Sequence, residues 1–438
     1  MKRKMYAKLL EWKNNTTRKP LMLLGARQVG KTYIINEFCK NEFENYVSIN
    51  LLERVDIVDL YNENINSDEK YMKLKLLLKI DIENENTILF IDEIQESEKL
   101  ISELKYFCEK HNNVRIICAG SLLGVKLKRS RFSFPVGKVT MMTMYQLDFE
   151  EFLEAAGEVL LIEEIRKCFS NNLQMSEVIH HKALELYKTY LICGGMPESV
   201  CNMISVGLDV SKYDKTILDS IVDSYFKDMD KYVTNNAEAL KIERTYRSIP
   251  SQLSNLSNKF QFSKIVSGAK SREYESALDW LEASNLVNKS YQVSIPEIPL
   301  RAFIKENYFK LFLNDVGLLT NILELDYADV MLDRISLYKG VIAENYVANS
   351  LLCNGYSLYY WQSDNTSEID FLVYNSGNNI PIEVKAGDSV KSKSLNFYMN
   401  KFNSEFAIRI STRNFGFDEN KKIKSIPLYA VFCINKDI

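Results

Sequence analysis

Residues 25–32 read GARQVGKT, directly after the apolar run Leu21–Leu24 and directly before a segment of helical character that begins near Tyr33. Few short patterns constrain a chain more. Gly25 and Gly30 let the backbone curl so that successive N–H groups turn toward one point, and the helix that follows adds its positive end to the same point. That is a cradle for a β-phosphate, with Lys31 in reach of the β- and γ-phosphates and the Thr32 hydroxyl placed to ligate Mg2+. Gly25, Ala26, Arg27, Gln28, Val29, Gly30, Lys31, Thr32 and Tyr33 are therefore the expected nucleotide contacts. A strand feeding such a loop belongs to a parallel α/β sheet covered on both faces.

Two further strands fit that sheet. Thr87–Gln95 (TILFIDEIQ) is a continuous apolar run that ends in Asp92-Glu93. Asp92 is expected in the Mg2+ shell and Glu93 beside the attacking water, a pair that points to hydrolysis and not only to binding. Val114–Ser121 (VRIICAGS) ends in a polar residue at the same edge. Ser121 suits a γ-phosphate sensor, or a cap for the next helix. Beyond it Lys126, Lys128, Arg129 and Arg131 stand in a loop-like run, which reads either as a solvated loop or as the source of an arginine finger, Arg129 or Arg131, for a neighbouring subunit.

Composition narrows the alternatives. The 438 residues suffice for two to four domains, with 46% hydrophobic and 26% charged residues. The eight cysteines form no CxxC pair and read as reduced, buried thiols of a cytoplasmic protein. Three histidines, His111, His180 and His181, give little to a His-rich zinc site or a Ser-His triad. No apolar run is long enough for a membrane span, and the basic N-terminus lacks a signal-peptide core. A net charge of −3 excludes a strongly basic coat, so contact with DNA would need local patches.

The middle of the chain is helical from about Phe149 to Tyr232. Ile217, Leu218, Ile221, Val222, Tyr225 and Phe226 form one apolar stripe there, with Asp219, Asp223 and Asp228 expected opposite. From Lys241 the pattern turns to helix, short strand, helix, strand, and 260–293 reads as a helix-turn-helix with a β-wing. Glu273, Glu275, Asp279 and Glu282 make its second helix acidic, which phosphate would repel. A structural or protein-contact role is the better expectation.

Near the C-terminus, Tyr338–Leu352 reads as a helix carrying Glu344. The strands Ser357–Ser363, Glu368–Tyr374 and Ile380–Ala386 follow, with a hairpin turn at 375–379. Residues two apart on a strand share a face, so Glu383 and Lys385 point together, with Asp370 on the neighbouring strand. Glu344, Asp370 and Glu383 could converge on a hard cation, Mg2+ or Mn2+, with Lys385 beside the scissile phosphate and Lys391 and Lys393 on the backbone. The plainer alternative is an alternating strand with an ordinary ion pair.

Gly25–Thr32, Asp92-Glu93, Met144–Leu153 (MYQLDFEEFL), Cys193–Ser199 (CGGMPES), Asn314–Leu319 (NDVGLL), Lys339–Asn345 (KGVIAEN), Ser367–Phe371 (SEIDF) and Ile380–Gly387 (IPIEVKAG) occur in this order. Together they resemble the prokaryotic AAA-family ATPases of archaeal type that carry a C-terminal domain of unknown function. Gln146 and Lys138 depart from the pattern, which carries proline and arginine there. The resemblance implies an α/β protein with a P-loop AAA-type ATPase core (1–155), a helical lid or linker (156–235), a winged-helix-like domain (236–325) and a C-terminal α/β domain (326–438). That last domain looks like the PD-(D/E)xK restriction-endonuclease fold. The resemblance also implies ATP in preference to GTP, Mg2+, a homo-oligomer and DNA as a partner. Whether the nuclease-like site cuts DNA, with Asp370, Glu383 and Lys385 catalytic, or only binds stays open at this point.

Overall fold

The computed structural model describes all residues other than 130–132, 232–235, 255–258, 336–337, 364–366, 388–391 and 436–438. The chain divides into two compact units: residues 1–145 with 283–285, and residues 146–282 with 286–438.

The first unit is built on a five-stranded, wholly parallel sheet of β1 (Leu21–Leu24), β2 (Asn45–Asn50), β3 (Thr87–Asp92), β4 (Arg115–Ala119) and β5 (Thr140–Thr143), in the order β2-β3-β4-β1-β5. Side-chain alternation divides the strands between two cores. Met22, Leu89, Ile91, Ile116 and Cys118 pack with Ile57, Leu60, Tyr61, Tyr71, Leu74, Leu104 and Phe107 from three helices, Val55–Asn62, Ser67–Leu78 and Glu98–Lys110. The intervening residues Leu21, Leu23, Ile88, Phe90, Ile117 and Ala119 are equally buried. On that side lies the helix Lys31–Glu42, whose Ile34, Ile35, Phe38 and Cys39 face inward. Burial on both faces explains why these strands read as unbroken apolar runs. The loop-like basic run differs from expectation in part: Leu123–Arg129 is helical, and Lys126 pairs with Glu98 at 2.8 Å.

In the second unit, three of the quoted motifs lock onto one another. Helix Phe149–Ala155 opens with a capping box, in which Asp148 accepts from the Glu151 N–H at 2.9 Å and Glu151 from the Asp148 N–H at 3.2 Å. Helix Glu177–Cys193 runs into Gly194-Gly195, where a Cβ on Gly195 would stand 1.9 Å from the Leu147 carbonyl oxygen. The Tyr190 hydroxyl donates to that same carbonyl at 2.6 Å. Asp315 caps helix Val316–Ile322 by accepting from Leu318 N–H at 3.0 Å, and it accepts from Gly195 N–H at 2.7 Å. Burial pushes the Asp315 carboxyl up to about 6, against the lowering effect of its N–H donors. CGGMPES, NDVGLL and MYQLDFEEFL are thus parts of one packing joint that only glycine backbones can enter.

The apolar stripe of the central helix is as expected in Leu218, Ile221, Val222 and Tyr225, but Asp228, expected on the polar face, is buried. Helices Asn236–Leu253 and Ser271–Ala283 precede an antiparallel pair, β6 (Val287–Val293) and β7 (Ile304–Leu313). Helix Lys339–Cys353 then leads into β8 (Tyr359–Gln362), β9 (Glu368–Asn375) and β10 (Asn378–Val384), antiparallel in turn. Helix Lys393–Phe402 follows, then β11 (Ala407–Ser411) parallel to β10, and then β12 (Gly416–Asp418) and β13 (Ile423–Pro427). All eight strands belong to one sheet, β12-β13-β11-β10-β9-β8-β6-β7, because β6 pairs in parallel with β8.

Candidate functional site

The first site lies at the C-terminal edge of the parallel sheet. Gly25 adopts φ 145° with the Met144 carbonyl oxygen 2.3 Å from where a Cβ would sit, and Gly30 adopts φ 92° as it starts the helix. A side chain would clash at Gly25 and be strained by the positive φ at Gly30. Lys31, 7% exposed, donates to the carbonyl oxygens of Gly25 at 2.9 Å and Ala26 at 2.7 Å. Burial pulls its ammonium down to about 8, which Glu93 and Asp92 only partly oppose. An ammonium whose hydrogen bonds go to carbonyl dipoles gains by exchanging them for phosphate oxygens.

Thr32 Oγ1 donates to Asp92 Oδ2 at 2.8 Å, which brings together the two groups expected on Mg2+. Burial raises the Asp92 carboxyl, with the Thr32 hydroxyl acting against it. Mg2+ keeps waters and takes nucleotide oxygens, so one carboxylate and one hydroxyl fit it. Glu93 follows in the left-handed region at φ 53°, strained backbone of the kind that collects at reactive sites. Tyr33 is exposed on the first turn of the helix, and Ser121 lies half-buried in the turn after β4. The Arg129 side chain and all of Arg131 lie outside what is described.

Two further residues here have roles that no motif assigns. Arg3, buried, donates to the Val29 carbonyl at 2.9 Å and the Tyr145 carbonyl at 2.7 Å, so the extreme N-terminus pins the phosphate loop. Gln95 donates from Nε2 to the Glu93 carboxylate, and its Oε1 fills the space where a Cβ on Gly120 would stand. Gln95 therefore holds the orientation of Glu93. Its place in DEIQ, next to the acidic pair, is the one sign of this role that the sequence carries.

The second site lies in the eight-stranded sheet. Glu344, Asp370, Glu383 and Lys385 gather there, joined by Glu368 and by Lys310 of β7, a residue outside every motif above. Lys310 is fully buried, 3.3 Å from Glu344 Oε2 and ion-paired to Glu368, with its Nζ 5.2 Å from the centre of the Tyr360 ring. Burial alone would lower its ammonium; Glu344, Glu368 and Asp370 outweigh that and raise it well above the usual lysine range. Asp370 accepts from the Val384 N–H at 2.7 Å, and burial together with the charge of Glu344 raises its carboxyl far above the ordinary value. Glu383 pairs with Lys385 at 2.9 Å and keeps its Oε2 buried without a hydrogen-bond partner. Among the described residues, no group of three or more His, Cys, Asp or Glu side chains is arranged to hold a metal ion. Lys393 is exposed at the start of its helix, and Lys391 is outside the described residues. Next to this site opens a cleft of about 860 Å³, lined by Lys339, Arg409 and Arg413 as well as Glu177 and Asp333. Asp333 binds both Lys188, at 2.7 Å, and Lys339, at 3.1 Å.

With this geometry in hand, the comparisons divide the chain. Residues 17–153 match the family model described as an AAA domain. This segment is a P-loop ATPase domain of AAA type, a class that binds nucleotide with a divalent metal, and the parallel sheet and phosphate loop are its core. Residues 184–329 and 339–429 match two further families, each described as a domain of unknown function (DUF8612 and DUF4143). No curated protein matches the chain. Among solved structures, the Aeropyrum pernix ORC2 protein is 11% identical over 76% of this chain and 92% of its own, with a TM-score of 0.33. The Aeropyrum pernix ORC1 protein in complex with DNA is 11% identical over 76% and 92%, with a TM-score of 0.28. The Thermotoga maritima RuvB Holliday junction branch migration motor is 12% identical over 66% and 89%, with a TM-score of 0.27. Likenesses this weak add nothing to what the sheet and the loop establish. Among the described residues, no helix is long and apolar enough to cross a membrane.

Proposed function

We propose that this protein hydrolyses ATP at the P-loop site, as a homo-oligomer, and engages DNA through its C-terminal, nuclease-like segment. The observation that carries the reading is the meeting of Lys31, Thr32, Asp92 and Glu93 at one edge of a parallel sheet. Lys31 would bind the β- and γ-phosphates, Thr32 and Asp92 would hold Mg2+, and Glu93, steadied by Gln95, would take the proton of the attacking water. Bound Mg2+ would supply neutralisation of phosphate charge. For DNA, the support is the helix, three-strand, helix, strand order of residues 339–411 and the arginines of the adjoining cleft.

A second reading, a nucleotide-switched regulator or scaffold whose nuclease-like segment is catalytically silent, is favoured by Lys310 among the carboxylates. One set of measurements separates the two. Purified protein is given ATP with Mg2+ or Mn2+, and labelled single- or double-stranded DNA. Nucleotide-dependent DNA binding that weakens with salt and falls in Arg413→Glu supports DNA engagement. Cleavage lost in Lys385→Ala, with ATP turnover intact, establishes a nuclease. Turnover without binding to either DNA form leaves the regulator.

A further inference from the structure

From the position of one lysine we infer that the C-terminal carboxylate site is filled from within: the Lys310 ammonium occupies the place that a divalent cation would take, and the segment works without a metal. The inference rests on the nuclease-like reading of this segment. A metal of the kind that reading implies does not fit the side chains present. Mg2+ and Mn2+ need several oxygen ligands turned to one point and free to accept them. Glu344 and Glu368 both turn to Lys310, which has no exposed surface. Asp370 receives the Val384 N–H, and Glu383 is engaged by Lys385. Each of these carboxylates already carries a cation or an N–H donor, and among the described residues no three acids are arranged to hold a metal ion.

The origin of Lys310 strengthens the case. It comes from β7, the edge strand four places from β10 in the sheet, and reaches the carboxylates of helix Lys339–Cys353 and β9 beside the ring of Tyr360. A fully buried ammonium persists only when paired, and here one of its two partners, Glu344, is a side chain that a nuclease would reserve for its metal. The same charge that satisfies Glu344 and Glu368 repels a second cation from the site. DNA would then be held and not cut.

The test is Mn2+ binding to the nucleotide-free full chain, read by electron paramagnetic resonance and by the shift in melting temperature. Wild type is expected to show no saturable Mn2+ signal that Asp370→Asn removes. Lys310→Met, similar in length and uncharged, is expected to gain such a signal and lose it again when Asp370→Asn is added. A wild-type Mn2+ site that disappears in Asp370→Asn overturns the inference, as does a folded Lys310→Met that gains nothing. If Lys310→Met does not fold, the wild-type titration decides alone. Failure of DNA binding would sink the proposed function and leave this result untouched, since no DNA is present.

Discussion

The two sites are made from the same parts, a buried lysine and a pair or more of carboxylates, yet they are in opposite states. Lys31 is held by two backbone carbonyls and its ammonium is pulled down to about 8. Lys310 is held by two carboxylates and its ammonium is pushed up. A cation short of strong partners is a receptor for an anion, whereas one with strong partners is a finished piece of structure. The lesson is that residue types alone do not distinguish a site that waits for a ligand from one that has been closed. The partners of the central charge do.

The largest expected effect tests the receptor. Lys31→Ala should lower ATP turnover by at least about a hundredfold, as loss of a charged transition-state contact does, measured as steady-state phosphate release. Lys310→Met should leave turnover within about twofold, well under 1.4 kcal/mol. Equal losses in the two variants would break the comparison. Next comes stability. Lys310→Ala leaves the partly buried Glu344 and Glu368 facing each other without their cation and should cost about 3 kcal/mol in denaturant unfolding. Lys31→Ala in the nucleotide-free protein removes a poorly paired buried charge and should be neutral or stabilising.

The buried carboxyl of Asp315 gives a third measurement. Its folded pKa of about 6 lies above the ordinary 3.8, so the folded form holds the proton more tightly. Its contribution to stability is full below about pH 4, falls as pH rises through 6, and is about 3 kcal/mol smaller above that. Urea unfolding across pH 4–7 should show this slope in wild type, and Asp315→Asn should flatten it. The smallest effect returns to Lys31. Because its folded pKa is depressed, its contribution to nucleotide-free stability rises with pH between about 8 and 10.5, and phosphate binding should reverse the depression. Calorimetry of ATP binding near pH 9, in buffers of different ionisation enthalpy, should therefore reveal uptake of a fraction of one proton. No uptake would mean that Lys31 is already fully charged before nucleotide arrives.

What the sequence discloses is what lies close together along it. The phosphate loop and Asp92-Glu93 are contiguous, each at the end of an apolar strand, and their chemistry could be read without a fold. Glu383 and Lys385 share a strand face for the same reason. The rest depends on contacts between distant segments. Cys193–Ser199 is a turn-forming cluster and Asn314–Leu319 stands 115 residues or more beyond it, and nothing local says that Asp315 accepts from the Gly195 N–H. Arg3 is one basic residue among several near the N-terminus. Lys310 did leave a trace: Phe309-Lys310-Leu311-Phe312-Leu313 places a single charge in a strand otherwise fit for a core, where an unpaired lysine is not tolerated. That anomaly marks a buried partner, but it does not say which acids supply it.

The parallel pairing of Tyr291, Gln292 and Val293 with Tyr359, Tyr360 and Trp361 carries a practical consequence. The stretch 339–429, which one family model delimits, ends its sheet at β8 only if β6 and β7 are cut away. Expressed by itself, that piece would present a bare strand edge, open to pairing with its own copies, and would leave Glu344 and Glu368 without their counter-ion. It should precipitate where a piece beginning before β6 stays dispersed. The boundary of sequence similarity and the boundary of a foldable object are, in this protein, different lines.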